Sequence, residues 1–356
     1  LVHTLSFPVQ EHKLGPERVT DPLTGGSAGV IVSIHDVEGR LELRRGPSLE
    51  GAPLARALIP TGPYSTDQQR AALRRLAAYV ADNGPAGAGS YRALRDILAR
   101  GLPRVRGHAL GDPLQDGSIH IDRGREIVSD LDESYLFIQG PPGSGKTWTA
   151  ARLITHLMRE GKRVGVAAQS HKAIHKLLEE VEQAADEEGL EFRGLKKSTN
   201  KEEQTVYEGR FIRSSPDSAD FPPADDVQLV AGTAWLHPRA EMDEALDYLF
   251  IDEAGQVSLA DALAMGTAAH NVVLIGDPLQ LAQVSQGVHP GAAAASVLEH
   301  LLGDDATIPP ERGLFLDRSR RMHPDVCEFI SDVVYAGRLG SIDECGRQSV
   351  ESGGLS

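Results

Sequence analysis

The sequence predicts an α/β protein built on a parallel sheet flanked by helices, preceded by a small β-rich segment and a helical region. Three observations carry that prediction. A short apolar strand, Tyr135-Leu136-Phe137-Ile138-Gln139, runs into a glycine-rich loop and then into a stretch with helical spacing. Two further apolar runs, Tyr248-Leu249-Phe250-Ile251 and Asn271-Val272-Val273-Leu274-Ile275, read as buried strands that stop abruptly at Asp252 and Gly276. From residue 135 onward strand, turn and helix alternate, the pattern of parallel strands joined by crossover helices.

The elements before residue 135 read differently. Val30-Ile31-Val32-Ser33-Ile34 and Leu41-Glu42-Leu43 alternate around the turn signal Asp21-Pro22-Leu23-Thr24-Gly25-Gly26. Period-two runs with Gly and Pro punctuation predict short antiparallel strands, a barrel-like accessory segment over residues 1–60. Pro60 to Pro63 reads as a linker. Thr66-Asp67 is placed to cap a helix carrying Leu73, Leu76, Ala77 and Val80 at helical spacing. A second helix follows over residues 91–100, with Leu94, Ile97 and Leu98 on one face. Arg92, Arg95 and Arg100 fill its other positions, with Arg104 and Arg106 just beyond. They read as a solvated basic face before they read as a nucleic-acid contact. Residues 61–119 form the helical accessory region, 120–315 the parallel α/β domain, and 316–356 the start of a further domain.

Composition sets limits. At 356 residues, with 40% hydrophobic and 24% charged residues, the chain has the make-up of ordinary globular domains, two or three of them. Every apolar run is broken by charge or glycine well short of membrane-span length, so no membrane partner is expected. The two cysteines, Cys327 and Cys345, have no metal-ligand spacing. They imply a reducing, cytoplasmic compartment, with one thiol half-buried on a helix and the other at the surface. The net charge of -15 argues against a basic coat for nucleic acid but leaves room for a local groove. Neither Leu1-Val2-His3-Thr4 nor Gly353-Gly354-Leu355-Ser356 reads as a natural terminus, so a longer parent protein is expected.

The loop after residue 139 is Gly140-Pro141-Pro142-Gly143-Ser144-Gly145-Lys146-Thr147, and a helix is predicted from 147 to 160. This is G-x-x-x-x-G-K-[ST] in a strand–loop–helix setting. Glycines let the backbone wrap phosphate oxygens, while the amides and the helix N-terminus supply positive potential. Lys146 is placed for the β- and γ-phosphates of ATP and the Thr147 hydroxyl for Mg²⁺. Such a site needs an acid on a neighbouring strand. Asp252 and Glu253 end an apolar strand, at the edge where α/β sheets bind ligands. Asp252 is the expected Mg²⁺ holder and Glu253 the expected general base for the attacking water.

Two later runs narrow the choice among P-loop enzymes. Gly276-Asp277-Pro278-Leu279-Gln280-Leu281 puts an amide at a strand end, where it can sense the γ-phosphate. Leu316-Asp317-Arg318-Ser319-Arg320-Arg321-Met322-His323-Pro324 follows. Together with the P-loop and Asp252-Glu253-Ala254, these runs resemble the superfamily 1 helicases of the 1B branch over about residues 135–340. The resemblance implies a RecA-like P-loop fold, with motor domain 1 over 120–315 and a truncated motor domain 2 from 316.

The remaining roles come from that resemblance. Gln280 matches the γ-phosphate-sensing glutamine of motif III, and Arg321 the motif IV arginine that reaches the same phosphate. Gln169-Ser170-His171-Lys172-Ala173 resembles motif Ia and Gly232-Thr233-Ala234 motif Ic, so Ser170, His171, Lys172 and Thr233 are implied contacts to the nucleic-acid backbone. On their own they are ordinary loop residues. Arg320 stands where the family has a tyrosine stacked on adenine; a guanidinium can also stack. The family's adenine-reading glutamine is not evident: Gln139 adjoins the P-loop too closely, and Gln115 is the candidate that remains.

The implied activity is ATP-driven translocation on single-stranded nucleic acid and duplex unwinding, with movement in the 5′-to-3′ sense. The segment Ser6-Phe7-Pro8-Val9-Gln10-Glu11-His12-Lys13-Leu14 resembles the region before the helicase in bacterial fusions with a RecB-like nuclease. That favours DNA over RNA and an upstream nuclease in the same polypeptide. The rival reading is a P-loop switch that gates such a nuclease without unwinding. A protein-remodelling ring is disfavoured because its sensor arginine pattern is missing.

Overall fold

The structure, a computed structural model, describes residues 1–8, 14–61, 65–199, 203–280 and 295–348. Residues 9–13 of the Ser6–Leu14 segment, Pro63 of the linker, Leu281 and the Gly353–Ser356 end lie outside the described residues. The chain divides into two compact units, Leu1–Ser65 and Thr66–Ser356.

In the first unit, β1 (Val2–Ser6), β2 (Arg18–Thr20), β3 (Ser27–His35), β4 (Arg40–Arg44) and β5 (Ile59–Pro60) form an antiparallel sheet in the order β1-β4-β3-β2-β5. Val19, Ala28, Ile31, Leu41 and Leu43 make a small core; Leu41 and Leu43 reach it by alternation, and a register shift between β2 and β3 at Ala28 lets Ala28 join Ile31 there. A closed barrel would pair every strand on both sides. Here β1 and β5 are edges, so among the described residues the sheet is open.

The second unit begins with α1 (Asp67–Asn83), α2 (Arg92–Ala99) and α3 (Ile121–Ser129). Then come β6 (Tyr135–Gln139), α4 (Lys146–Arg159), β7 (Val164–Ala167), α5 (His171–Glu188), β8 (Gly194–Lys197), β9 (Ile212–Ser215), β10 (Leu229–Gly232) and β11 (Leu246–Ile251). It continues through α6 (Leu259–Gly266), β12 (Ala269–Gly276), α7 (Val297–Leu302), β13 (Gly313–Phe315), β14 (Arg318–Ser319), α8 (Pro324–Val334) and β15 (Gly340–Ser341). Strands β6 to β13 make one eight-stranded parallel sheet, ordered β13-β6-β12-β11-β7-β10-β8-β9. This is the RecA-like P-loop fold. Parallel sheets need cover on both faces, and two separate cores provide it. Phe137, Leu249, Ile251, Val272 and Leu274 face α1, α2, α6 and α7. The alternate residues Leu136, Ile138, Phe250, Val273 and Ile275 face α3, α4 and α5.

Several local readings change. The strand bearing Asp252 does not adjoin the P-loop strand, because β12 lies between β11 and β6. Register keeps the two ends level: Ile275 pairs with Ile138 and Leu274 with Ile251. Thr66 stands at the cap position of α1, but its side chain makes no capping hydrogen bond. Leu94 and Ile97 are buried as expected, whereas Leu98 is exposed. Of the basic residues near α2, Arg100 and Arg106 are exposed as expected, whereas Arg92, Arg95 and Arg104 are wholly or partly turned inward. Arg95 is buried, donates to Gly87 O (2.8 Å) and Gly89 O (3.2 Å), and lies over the Tyr79 ring. Arg92 pairs with Asp132 at 3.2 Å, and Arg104 with Asp96. Both cysteines are buried, Cys345 included, because the turn that carries it folds back toward α8. No helix among the described residues is long and apolar enough to cross a membrane.

One buried group links this core to pH. His237 is 0% exposed, with Nε2 3.2 Å from Val166 O of β7 and no partner for Nδ1. Burial pushes its pKa down to about 4. The unfolded chain therefore binds more protons than the folded one between about pH 6.5 and 4. Stability rises with pH across that window and is lost as pH falls through it. Relative to wild type, His237→Leu should recover about 2 kcal/mol between pH 7 and pH 5. Urea unfolding at the two pH values measures this, and parallel losses in both proteins would refute it.

Candidate active site

The P-loop leaves β6 at Gln139 and enters α4 at Lys146. Gly145 takes the cap position at φ 86°, with no side chain capping the helix, so the first-turn amides face the loop. Two positions admit only glycine. A Cβ on Gly140 would lie 2.3 Å from Lys146 Cγ and 2.8 Å from Ser144 Oγ. A Cβ on Gly143, whose φ is 76°, would lie 2.6 Å from Arg321 Cβ. The Lys146 ammonium donates to Gly140 O at 2.8 Å across the loop. Ser144 Oγ is buried without a protein partner. An open-sided cradle with uncapped amides, a cation and an orphaned hydroxyl fits a polyphosphate.

Asp252 and Glu253 follow the last residue of β11. Asp252 is 5% exposed, and burial pushes its carboxyl up to about 6. The Glu253 charge adds to that rise, while the Glu253 amide (2.9 Å to Oδ1) and the ammonium groups of Lys146 and Lys176 oppose it. Glu253 itself is strained, at φ 51°. The two adjacent acids differ in burial, Asp252 being buried and Glu253 half-exposed. Asp252 with the Thr147 hydroxyl is a donor set that suits a hard dication. At the end of β12, Gln280 Nε2 donates to Asp277 Oδ2 at 3.2 Å. The run after β13 lies directly on the P-loop. Arg320 N donates to Gly143 O at 2.9 Å, Ser319 Oγ to Pro142 O at 3.3 Å, and Arg321 packs against Gly143. The structure thus brings residues 140–147, Asp252, Glu253, Gln280, Arg320 and Arg321 to one edge of the sheet.

Known sequences agree with this geometry. The sequence model of the AAA domain matches residues 125–303, half of the chain. The chain belongs to the AAA domain family. It is 26% identical over 275 residues to the DNA replication ATP-dependent helicase/nuclease DNA2 of Saccharomyces cerevisiae, an alignment covering 74% of this chain and 17% of that protein. It is 28% identical to the regulator of nonsense transcripts 1 of Dictyostelium discoideum, covering 57% of this chain and 18% of the relative. To the RecBCD enzyme subunit RecD of Mycolicibacterium smegmatis it is 30% identical, covering 48% and 29%. The chain therefore spans less than a third of the length of these relatives. With these motifs and relatives, the AAA domain is a nucleotide-binding P-loop motor of the superfamily 1 helicase kind.

A second set of residues lies on the same edge of the AAA domain, past β7 and β10, which pair in parallel with Ala167 opposite Gly232. Ser170 caps α5, its Oγ accepting from Ala173 N at 3.1 Å, which leaves its O–H free to donate. His171 Nδ1 lies 3.1 Å from the ammonium of Lys196, which is fully buried on β8. Burial pulls that ammonium down to about 8. Lys172 is exposed and Thr233 half-exposed, both accessible to a strand. Lys196 went unnoticed in the sequence, where a Lys-Lys pair on a short strand reads as surface.

Gln115 is committed elsewhere in the second unit. Its Nε2 donates to Phe315 O (3.0 Å) and Gly117 O (2.8 Å), and its Oε1 accepts from Phe315 N (2.7 Å). It pins β13 and has no free edge for a base. Gln139 is also structural: its Oε1 accepts from Ile308 N at 2.7 Å, and its Nε2 reaches Asp277 Oδ1 at 3.5 Å. A shallow hollow beside the P-loop is lined by Ile119, Ile121, Gly145, Trp148, Leu316 and Arg320.

Proposed function

We propose that this chain hydrolyses ATP to drive movement along single-stranded DNA, as the first motor domain of a helicase. The observation that carries the reading is the seating of residues 319–321 on the P-loop. It sets the backbone of the segment carrying Arg320 and Arg321 against the P-loop, on the sheet edge that also carries Lys172 and Thr233, and so supports an arginine role at the phosphates. Hydrolysis and strand contact then share one rigid edge.

In this reading Lys146 and the loop amides hold the β- and γ-phosphates. Thr147 and Asp252 hold Mg²⁺, which neutralises phosphate charge. Glu253, the half-exposed acid of the pair, takes the proton of the attacking water as its oxygen bonds to the γ-phosphorus and the bond to the bridging oxygen breaks. Gln280 orients that water, and Arg321 stabilises charge on the transferred group. Arg320 stacks on the base in the hollow beside Trp148. The printed names of relatives in DNA replication support DNA over RNA, and their joined helicase and nuclease activities support a nuclease in the same natural polypeptide.

The test separates a motor from a nuclease-gating switch. In the natural full-length protein, oligo-dT should stimulate ATP hydrolysis at low salt, and high salt should remove most of the effect. Contacts to phosphate and sugar fix position without reading base order, so stimulation should not depend on sequence. Lys172→Ala should weaken strand binding and reduce stimulation while basal turnover holds. Steady-state ATPase with oligo-dT and oligo-U at two salt concentrations decides the matter. No stimulation by either strand would transfer the case to the switch, and a preference for oligo-U would replace DNA with RNA.

A further inference from the structure

Asp277 closes β12 and is 3% exposed, yet its carboxylate is met by donors from three separate parts of the unit. Oδ1 accepts from Leu279 N (3.2 Å) and Gln139 Nε2 (3.5 Å). Oδ2 accepts from Gln280 Nε2 (3.2 Å) and from the Tyr335 hydroxyl (2.7 Å). The tyrosine bond is the shortest of the four and spans 58 positions of sequence.

Tyr335 ends α8, the helix that follows Arg321. It is 3% exposed, with its ring 6.2 Å from that of Phe315 on β13. Arg338 holds the same corner, donating to Ile308 O at 2.8 Å and lying over Phe315. Ile308 N in turn donates to Gln139 at 2.7 Å. The buried phenol beside a carboxylate has its pKa driven upward, so it stays protonated and donating. One carboxylate oxygen therefore accepts from both Gln280, in the nucleotide site, and Tyr335, in the arginine-bearing segment. Two donors on a single oxygen are coupled: when one withdraws, the other's best geometry changes.

We infer that Tyr335 is a positioning residue that, through Asp277, sets the orientation of Gln280 according to where the Arg321 segment sits. The inference rests on the roles proposed above for Gln280 and Arg321. With the segment seated, the hydroxyl fixes Asp277 and the Gln280 amide is aimed. With the segment displaced, Asp277 loses its shortest donor, its carboxylate is free to turn, and the Gln280 amide bonded to it loses its aim. Hydrolysis is thereby tied to seating of the arginine.

Tyr335→Phe removes the hydroxyl and keeps the ring packing. In the natural full-length protein its kcat should fall about tenfold with KM changed less than about twofold. Combined with Gln280→Ala, its effect on kcat should be much less than the product of the two single effects. Asp277→Asn, which keeps shape and weakens the acceptor, is the second variant and should be non-additive with Tyr335→Phe in the same way. A split between kcat and KM, with non-additivity, is not what loss of stability alone produces. Unchanged kcat in Tyr335→Phe, or effects that multiply, would overturn the inference while leaving the ATPase reading intact. Should the wild-type protein hydrolyse no ATP, the ATPase reading fails by itself. The coupling is then read by hydrogen exchange on this chain. A slowly hydrolysed ATP analogue should protect Pro324–Val334 in wild type and not in Tyr335→Phe. Equal protection in both, or none in either, refutes it.

Discussion

Lys146→Ala is expected to weaken Mg-ATP binding by about 100-fold, the loss of two or more charge-assisted hydrogen bonds. The ammonium already crosses the loop to Gly140 O at 2.8 Å, so it is held at the mouth of the cradle before any phosphate arrives. Truncation removes the cation and leaves Gly143, Gly145 and the uncapped turn of α4 in place. The fold should survive, because Lys146 is half-exposed and α4 is buried through Ala150, Leu153, Ile154 and Leu157 on its other face. Calorimetric titration with Mg-ATP on wild type and variant measures the effect, and thermal unfolding confirms the fold. Equal affinities would remove the P-loop assignment and every role that depends on it.

Glu253→Gln should leave nucleotide affinity within a few-fold and lower kcat by about 10² or more. The reason is geometric. Asp252 is buried and tethered by the Glu253 amide at 2.9 Å. Glu253, at φ 51°, is half-exposed. The proposed metal ligand and the proposed base are thus adjacent residues that differ in burial. The glutamine keeps size and hydrogen bonding but cannot accept the proton. Single-turnover hydrolysis in the natural full-length protein, beside binding of a slowly hydrolysed analogue, provides the measurement. Hydrolysis at the wild-type rate would give the base to another group.

Much of this site was legible in sequence because its chemistry is local. The P-loop's eight residues are consecutive, and their backbone conformation follows from where glycine stands. Buried strands announce themselves as unbroken apolar runs, so Asp252, Gly276 and Asp277 could be placed at strand ends without coordinates. Arg92, Arg95 and Arg104 around α2 were misread for the opposite reason. Helical spacing says which side faces a core, but not that Arg95 meets two glycine carbonyls and a tyrosine ring. The cysteine at 345 was misplaced because a short polar turn gives no periodicity from which burial could be read.

By itself the sequence determined the parallel α/β class, the phosphate cradle and the acids that end its strands, since each depends on neighbours within a few positions. Tertiary structure alone decided the strand order, with β12 set between the P-loop strand and the acid-bearing strand. It also decided the sharing of Asp277 by Gln280 and Tyr335, and the pairing of His171 with a buried Lys196. The Lys196–His171 and Tyr335–Asp277 contacts join residues 25 and 58 positions apart, whereas Gln280 lies three positions from Asp277. Which distant groups meet is fixed by how strands order and helices pack. That packing is a property of the whole buried surface, and no short stretch of residues encodes it.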